Sequence, residues 1–189
     1  LIVAGAFLLA GVSSSLAAGG PELKSKNWPQ AGPFGTFDYA SVQRGYQIYR
    51  EVCAGCHAMK YLYYRNLADI GLSEAEVKAL AAEATVMDGP NDEGEMFERA
   101  GKPADRFPAP FPNDQAARAA NNGAMPPDLS LVVKARGGHE DYLYSLLTGY
   151  GEPPADEELR EGMSYNLYFP SNHIAMAPPL DEDAVEYAD

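Results

Sequence analysis

Apolar positions recur at helical spacing in four stretches of the chain. Val42, Tyr46, Tyr49, Val52 and Cys53 fall on one face of a helix that starts near Asp38 or Ser41. Gly45 lies on that helix, where it costs stability, so its smallness points to another backbone passing close by. Ser73 and Glu76 form a Ser-x-x-Glu capping box ahead of a second helix, with Val77, Leu80, Ala81 and Ala84 as its stripe. A third helix is expected from about Asp128 to Ala135. A fourth is expected from about Glu140 to Thr148, with Leu143, Leu146 and Leu147 on its apolar face and Gly149 as its stop.

Between residues 88 and 127 the pattern dissolves. Glycines and prolines, among them Gly89, Pro90, Gly94, Pro103, Pro108, Pro110 and Pro112, leave room for one short helix at Asp114 to Ala120. Phe97, Phe107 and Phe111 mark the rest as ordered loop, since disordered tracts lack aromatics. Met163 to Asp189 also reads as loop. Residues 19–35 hold three prolines and four glycines and read as an extended arm. Leu1 to Ala10 is uncharged and mostly apolar, and runs into Ser13, Ser14, Ser15 and then Ala17 and Ala18. That is the pattern of a secretory signal peptide over 1–18, here without its basic start. It is shorter than the roughly 20 apolar residues of a membrane span.

Charge narrows the function. With 27 acidic against 14 basic residues, the net charge of -13 argues against nucleic acid and favours basic partners. The chain's 2 cysteines cannot build a disulfide framework, so their spacing carries the message instead.

Cys53-Ala54-Gly55-Cys56-His57 is a C-x-x-C-H haem-attachment motif. Two thiols reach the two vinyl groups of one porphyrin, and the next residue swings under the ring to place an imidazole on iron. Ala54 and Gly55 let the backbone hug the ring edge. A thioredoxin-like dithiol would sit between a strand and a helix, whereas this motif closes a helix. A zinc site needs more ligands than two cysteines and three histidines comfortably supply. The motif therefore predicts one covalent haem c, with His57 as an axial ligand.

The sixth ligand decides between electron transfer and chemistry on the iron, and methionine suits the former. Met59 is too close to His57 to reach the opposite face. Met87, Met96 and Met163 read as core packing. Met125 precedes Pro126-Pro127, and Met176 precedes Ala177-Pro178-Pro179, so each could present its sulfur from a rigid loop. His139 and His173 are weaker rivals. Pattern alone leaves Met125 and Met176 both open.

The segments RGYQIYREVCAGCHAMKYLYYRNL, DGPNDEGEMFERAGKPADRFPAPFPN, AARAANNGAMPPDLSLVVKARGG, EDYLYSLLTGY and NHIAMAPPL resemble the cytochrome c1 family, the haem subunits of quinol–cytochrome c oxidoreductases (the cytochrome bc1 complex, complex III). They cover most of residues 33–189. The resemblance implies a mainly α fold, a cytochrome c-like helical domain around covalent haem with long ordered loops, over residues 36–189. It implies thioethers to Cys53 and Cys56, and His57 and Met176 as axial ligands. Met125 becomes a haem-pocket residue, and Asn121, Arg136 and Tyr142 lie near the propionates. A helix C-terminal charge is the competing role for Arg136.

The resemblance also implies partners. Electrons would come from the Rieske iron–sulfur subunit and leave to a soluble c-type cytochrome, with cytochrome b as a further subunit. The chain would contribute electron transfer to that oxidoreductase and make or break no bond itself. It would end before its last helix, which packs near Gly45, and before a C-terminal membrane anchor. Its place would be the periplasmic face of a bacterial inner membrane, or the intermembrane-space side if eukaryotic. The compact loop region lacks the extra cysteine pair of some bacterial members, which suggests an alphaproteobacterial source close to the mitochondrial type. Glu152, Asp156, Glu157, Glu158 and Glu161, or the Asp88 to Glu98 run, are the groups that would steer a basic acceptor. Two rivals remain: an independent soluble carrier, disfavoured by the long 88–127 region, and a peroxidase or gas-binding protein, which needs an open sixth site.

Overall fold

The computed structural model describes residues 20–187, so the signal peptide expected over 1–18 lies outside the described residues. Its helices are α1 (Tyr39–Glu51), α2 (Glu74–Ala82), α3 (Asp114–Ala120) and α4 (His139–Leu147), with 3-10 turns at Cys53–Gly55 and Tyr64–Ile70. Two antiparallel ladders complete it: β1 (Thr85–Asp88) with β2 (Phe97–Ala100), and β3 (Ser164–Tyr165) with β4 (His173–Ile174). Only 29% of the structure is helical, so mainly α overstates a fold in which long ordered loops carry most of the chain. Among the described residues no helix is long and apolar enough to cross a membrane.

Helices α1, α2 and α3 begin where capping chemistry puts them. Asp38 Oδ1 accepts from Ala40 N at 3.1 Å, and Asn113 Oδ1 from Ala116 N at 2.9 Å. The Ser73–Glu76 box closes reciprocally, with Glu76 Oε2 accepting from Ser73 N at 2.7 Å. One apolar cluster organises this half of the molecule: Tyr64, Leu67, Val77, Ala81 and Phe107, with Tyr46, Tyr49 and Met59 packed against it. Phe107 is its hub. Its ring stacks on Tyr49 at 5.9 Å and lies 4.8 Å from Tyr64. Burying such a side chain contributes about 1.5–3 kcal/mol, which is how a loop residue far from any helix holds the irregular region in place.

Four expectations change. The third helix does not form: residues 130–135 are turns, and Ala135 N to Leu131 O is the only i to i−4 bond there. Asp128 Oδ1 takes the Ser130 amide, and Leu129 N is drawn off to Ala58 O, so the first helical turn is diverted. Conversely, the Gly-rich stretch hides a hairpin. β1 pairs with β2 in the register Thr85 to Ala100 and Asp88 to Phe97, and Asn91 Oδ1 closes the turn by accepting from Glu93 N and Glu95 N. Met87 and Met96 belong to this hairpin and are 58% exposed, not core. Finally, nothing lies within 4 Å of where a Cβ on Gly45 would sit, and α1 has no fully buried residue. The neighbour expected beside Gly45 is not among the described residues.

The arm is a strap along α4. Lys24 N donates to Ser145 Oγ at 2.8 Å, and Trp28 Nε1 to Asp141 Oδ1 at 2.6 Å. The Trp28 ring meets Tyr144 edge-on at 5.9 Å.

Candidate functional site

α1 runs directly into the C-x-x-C-H motif. The 3-10 turn at Cys53–Gly55 then folds back so that Cys56 N and His57 N both donate to Cys53 O, at 3.1 and 2.9 Å. The two thiols are not joined to each other. Burial, then the neighbouring Cys56, pushes the Cys53 thiol above its usual range. Cys56 is exposed at the surface.

The chain leaving the motif is zipped to the loop that follows Met125. His57 Nδ1 donates to the Pro127 carbonyl at 2.8 Å. Leu129 N donates to Ala58 O at 2.8 Å, Lys60 N to Asp128 Oδ2 at 3.0 Å, and Tyr61 N to Ser130 Oγ at 3.1 Å. A carbonyl can only accept, so His57 Nδ1 carries a proton and the neutral imidazole here is the Nδ1–H tautomer. That leaves the Nε2 lone pair uncommitted, as an iron ligand requires. The donor set therefore fits a covalent haem: two unjoined thiols and an imidazole fixed in the ligating tautomer, all within one turn. Burial would raise the Asp128 carboxyl, but the hydrogen bonds from Ser130 and Lys60 outweigh it and hold the carboxyl below the usual range.

Met176 follows β4, half-buried, and its carbonyl accepts from Tyr150 Oη at 3.1 Å. Met125 is 39% exposed beside Pro126. Of the residues expected near propionates, Asn121 lies at the C-cap of α3, with Nδ2 donating to Ala117 O at 2.7 Å. The half-buried Arg136 has one weak bond, to Ala135 O at 3.2 Å, and makes no ion pair among the described residues. Since no helix precedes it, a C-terminal helix charge no longer accounts for it. Tyr142 lies on α4 and is half-buried.

Among the described residues, open clefts of about 420 and 310 Å³ lie at the surface. Neither is lined by Cys53, His57 or Met176. The smaller reaches Ala54 of the motif and is walled by Tyr46, Tyr49, Tyr64 and Phe107. Sequence reasoning missed Pro127, Asp128, Ser130, Tyr150 and Asn166. The Asp-x-Ser after Pro126-Pro127 was a usable turn signal. Asn166 and Tyr150 act through long-range bonds, which have no local pattern.

The cytochrome C1 family model matches residues 28–189. A Solanum tuberosum protein named cytochrome c1-2, heme protein, mitochondrial, is 54% identical over 94% of this chain and 68% of its own length. An Arabidopsis thaliana protein named cytochrome c1 2, heme protein, mitochondrial, is 52% identical over 94% of this chain and 58% of its own. A Candida albicans protein named cytochrome b-c1 complex catalytic subunit, mitochondrial, is 56% identical over 86% of this chain and 57% of its own. The chain thus spans about half to two thirds of the length of the curated relatives it matches. With that match and with a fitting C-x-x-C-H site, the chain belongs to the cytochrome c1 family.

Proposed function

We propose that this chain is the electron-transfer part of a quinol–cytochrome c oxidoreductase subunit, with one haem c on Cys53 and Cys56 and iron between His57 and Met176. The observation that carries this is the His57 Nδ1 to Pro127 bond at 2.8 Å, which reserves Nε2 for iron beside the two thiols. The haem supplies one-electron redox chemistry when bound. The chain's residues hold it: the thiols fix its edge, Pro127 orients His57, and Arg136 and Tyr142 offer a cation and a hydroxyl to its carboxylates. Met125 then belongs to the pocket wall, and Asn121, engaged with Ala117, steadies the loop that carries Met125.

The names of the relatives support the partners. Cytochrome b and a Rieske iron–sulfur protein would be the companion subunits, and a soluble c-type cytochrome the acceptor. Among the acidic candidates, Glu157 is engaged by His173 at 2.7 Å and Asp88 by Arg99, whereas Glu152, Asp156, Glu158 and Glu161 are exposed and unpaired among the described residues. Those four would steer a basic acceptor, and its on-rate would fall with rising salt. A rate indifferent to salt removes steering. The haem domain would face the periplasm, or the intermembrane space as the mitochondrial names of its relatives suggest. A helix following residue 189, then an anchor, would cover the cleft of Tyr46, Tyr49 and Phe107 and pass Gly45, whose surroundings are open.

The test is the haem-loaded full-length protein. Met176→Leu should abolish the methionine-to-iron charge-transfer band and lower the midpoint potential, while Met125→Leu keeps both. Loss of the band in Met125→Leu alone would reverse the ligand assignment.

A further inference from the structure

Asn166 is fully buried, at 0% exposure, in a segment with little other burial. A buried amide persists only if its donors and acceptors are met, and this one meets them across three segments. Nδ2 donates to Leu146 O at 2.7 Å, a carbonyl at the end of α4 whose backbone donor, Gly149 N, is longer at 3.3 Å. Oδ1 accepts from Tyr168 N at 3.1 Å. Its backbone N donates to Asn172 O at 2.7 Å, and its own carbonyl accepts from Asn172 Nδ2 at 3.3 Å.

These bonds join the last turn of α4 to the loop that ends in Met176. Asn172 leads straight into β4, which pairs with β3 through Tyr165 to His173. Two residues past β4 comes Met176. Its carbonyl is held by Tyr150, which pairs with Asn166 in an isolated antiparallel bridge. Ser171 and Asn172 both have positive φ, at 69° and 59°, so the loop is wound tightly between its two anchors. Asn166 and Tyr150 make the side-chain links in this network to Leu146 O and to the Met176 carbonyl, while a parallel route runs from Gly149 O through Leu167 to Asn172 Nδ2.

We infer that Asn166, with Tyr150 as a second anchor, is a positioning residue that seats the Met176 sulfur opposite His57. A thioether is a weak iron ligand that binds only where its loop is preorganised, so the seat sets how often it lets go. The inference rests on Met176 being the sixth ligand.

Asn166→Asp keeps the shape and the Oδ1 acceptor but removes the donor to Leu146. In the haem-loaded full-length protein, the population with Met176 off iron should rise by about tenfold, the effect of one lost buried hydrogen bond. It reads as a weaker charge-transfer band, faster carbon monoxide binding to the ferrous form and a lower midpoint potential, at unchanged haem content. Tyr150→Phe should shift the same three readouts in the same direction by less. Should Asn166→Asp not fold, Tyr150→Phe decides. If the variants keep band, potential and carbon monoxide rate at the wild-type values and lose only thermal stability, Asn166 is structural and the inference fails. If the wild-type protein itself lacks the band, the ligand assignment fails instead, so the two failures are separable.

Discussion

The Pro127 carbonyl lies 2.8 Å from His57 Nδ1, and Ala58, Lys60 and Tyr61 are stitched to Leu129, Asp128 and Ser130 by further hydrogen bonds. A motif that needs one imidazole tautomer is thus held by a loop some 70 residues away. Pro126 and Pro127 suit the task, since fixed φ angles keep the accepting carbonyl aimed without an ordering cost at binding.

Asp128 is the member of this zipper that side-chain substitution can remove. It accepts both the Lys60 and the Ser130 amides. Asp128→Ala should lower unfolding stability by about 1–3 kcal/mol, the range for hydrogen bonds to a charged acceptor. Hydrogen exchange at the Lys60 and Ser130 amides should speed up selectively. Equal protection in wild type and variant would mean that the backbone carries the zipper alone.

The hairpin is clamped by charge. Arg99 takes Asp105 in a fork, at 2.6 and 2.9 Å, and also reaches Asp88. The Arg99 guanidinium holds the Asp105 carboxyl down to about 2. A carboxyl depressed in the folded state stabilises the fold above its unfolded pKa of about 3.9. That stabilisation drains away as pH falls from there through about 2. Acid titration of unfolding should show this slope, and Asp105→Asn should flatten it. An unchanged slope would place the acid sensitivity elsewhere.

How much of this was legible beforehand depended on where each signal lay along the chain. α2 and α3 announced themselves through Ser73, Glu76 and Pro-rich flanks, because capping is local chemistry. The haem motif was legible for the same reason, five consecutive residues. β1 and β2 were not, because Gly89, Pro90 and Gly94 read as breakers while actually forming the turn. The supposed third helix failed through one side chain, Asp128, that found a better use for its oxygens. The sixth ligand needed the resemblance, since Met125 and Met176 share the same proline-flanked pattern.

Alkaline stability should depend on tyrosines. Burial pushes Tyr46, Tyr49 and Tyr150 up to about 12. A raised folded pKa means the neutral phenol is favoured inside, so this stabilisation is complete below the unfolded value of about 10. It is lost as pH climbs through about 12. Unfolding midpoints should fall steeply over that window. Tyr49→Phe, which keeps the ring stacked on Phe107 and gives up only the Tyr49 Oη bond to His57 O, should blunt the fall. An identical alkaline profile in the variant would exclude Tyr49.

Gly149 marks where the end of α4 meets the Met176 platform. A Cβ there would sit 2.4 Å from Tyr168 Cδ2 and 2.6 Å from the Ser145 carbonyl oxygen. The ring could swing aside, but the carbonyl is helix backbone and cannot. Gly149 O also accepts from Leu167 N at 3.0 Å, so any shift of this residue drags the segment next to Asn166. Gly149→Ala should therefore cost about 1–3 kcal/mol, the range for overpacking a close contact. Unlike an ordinary packing defect, it should also weaken the methionine-to-iron band, because the displaced backbone carries the Met176 seat with it. A variant that is destabilised yet keeps the wild-type band would show that the platform moves independently of α4.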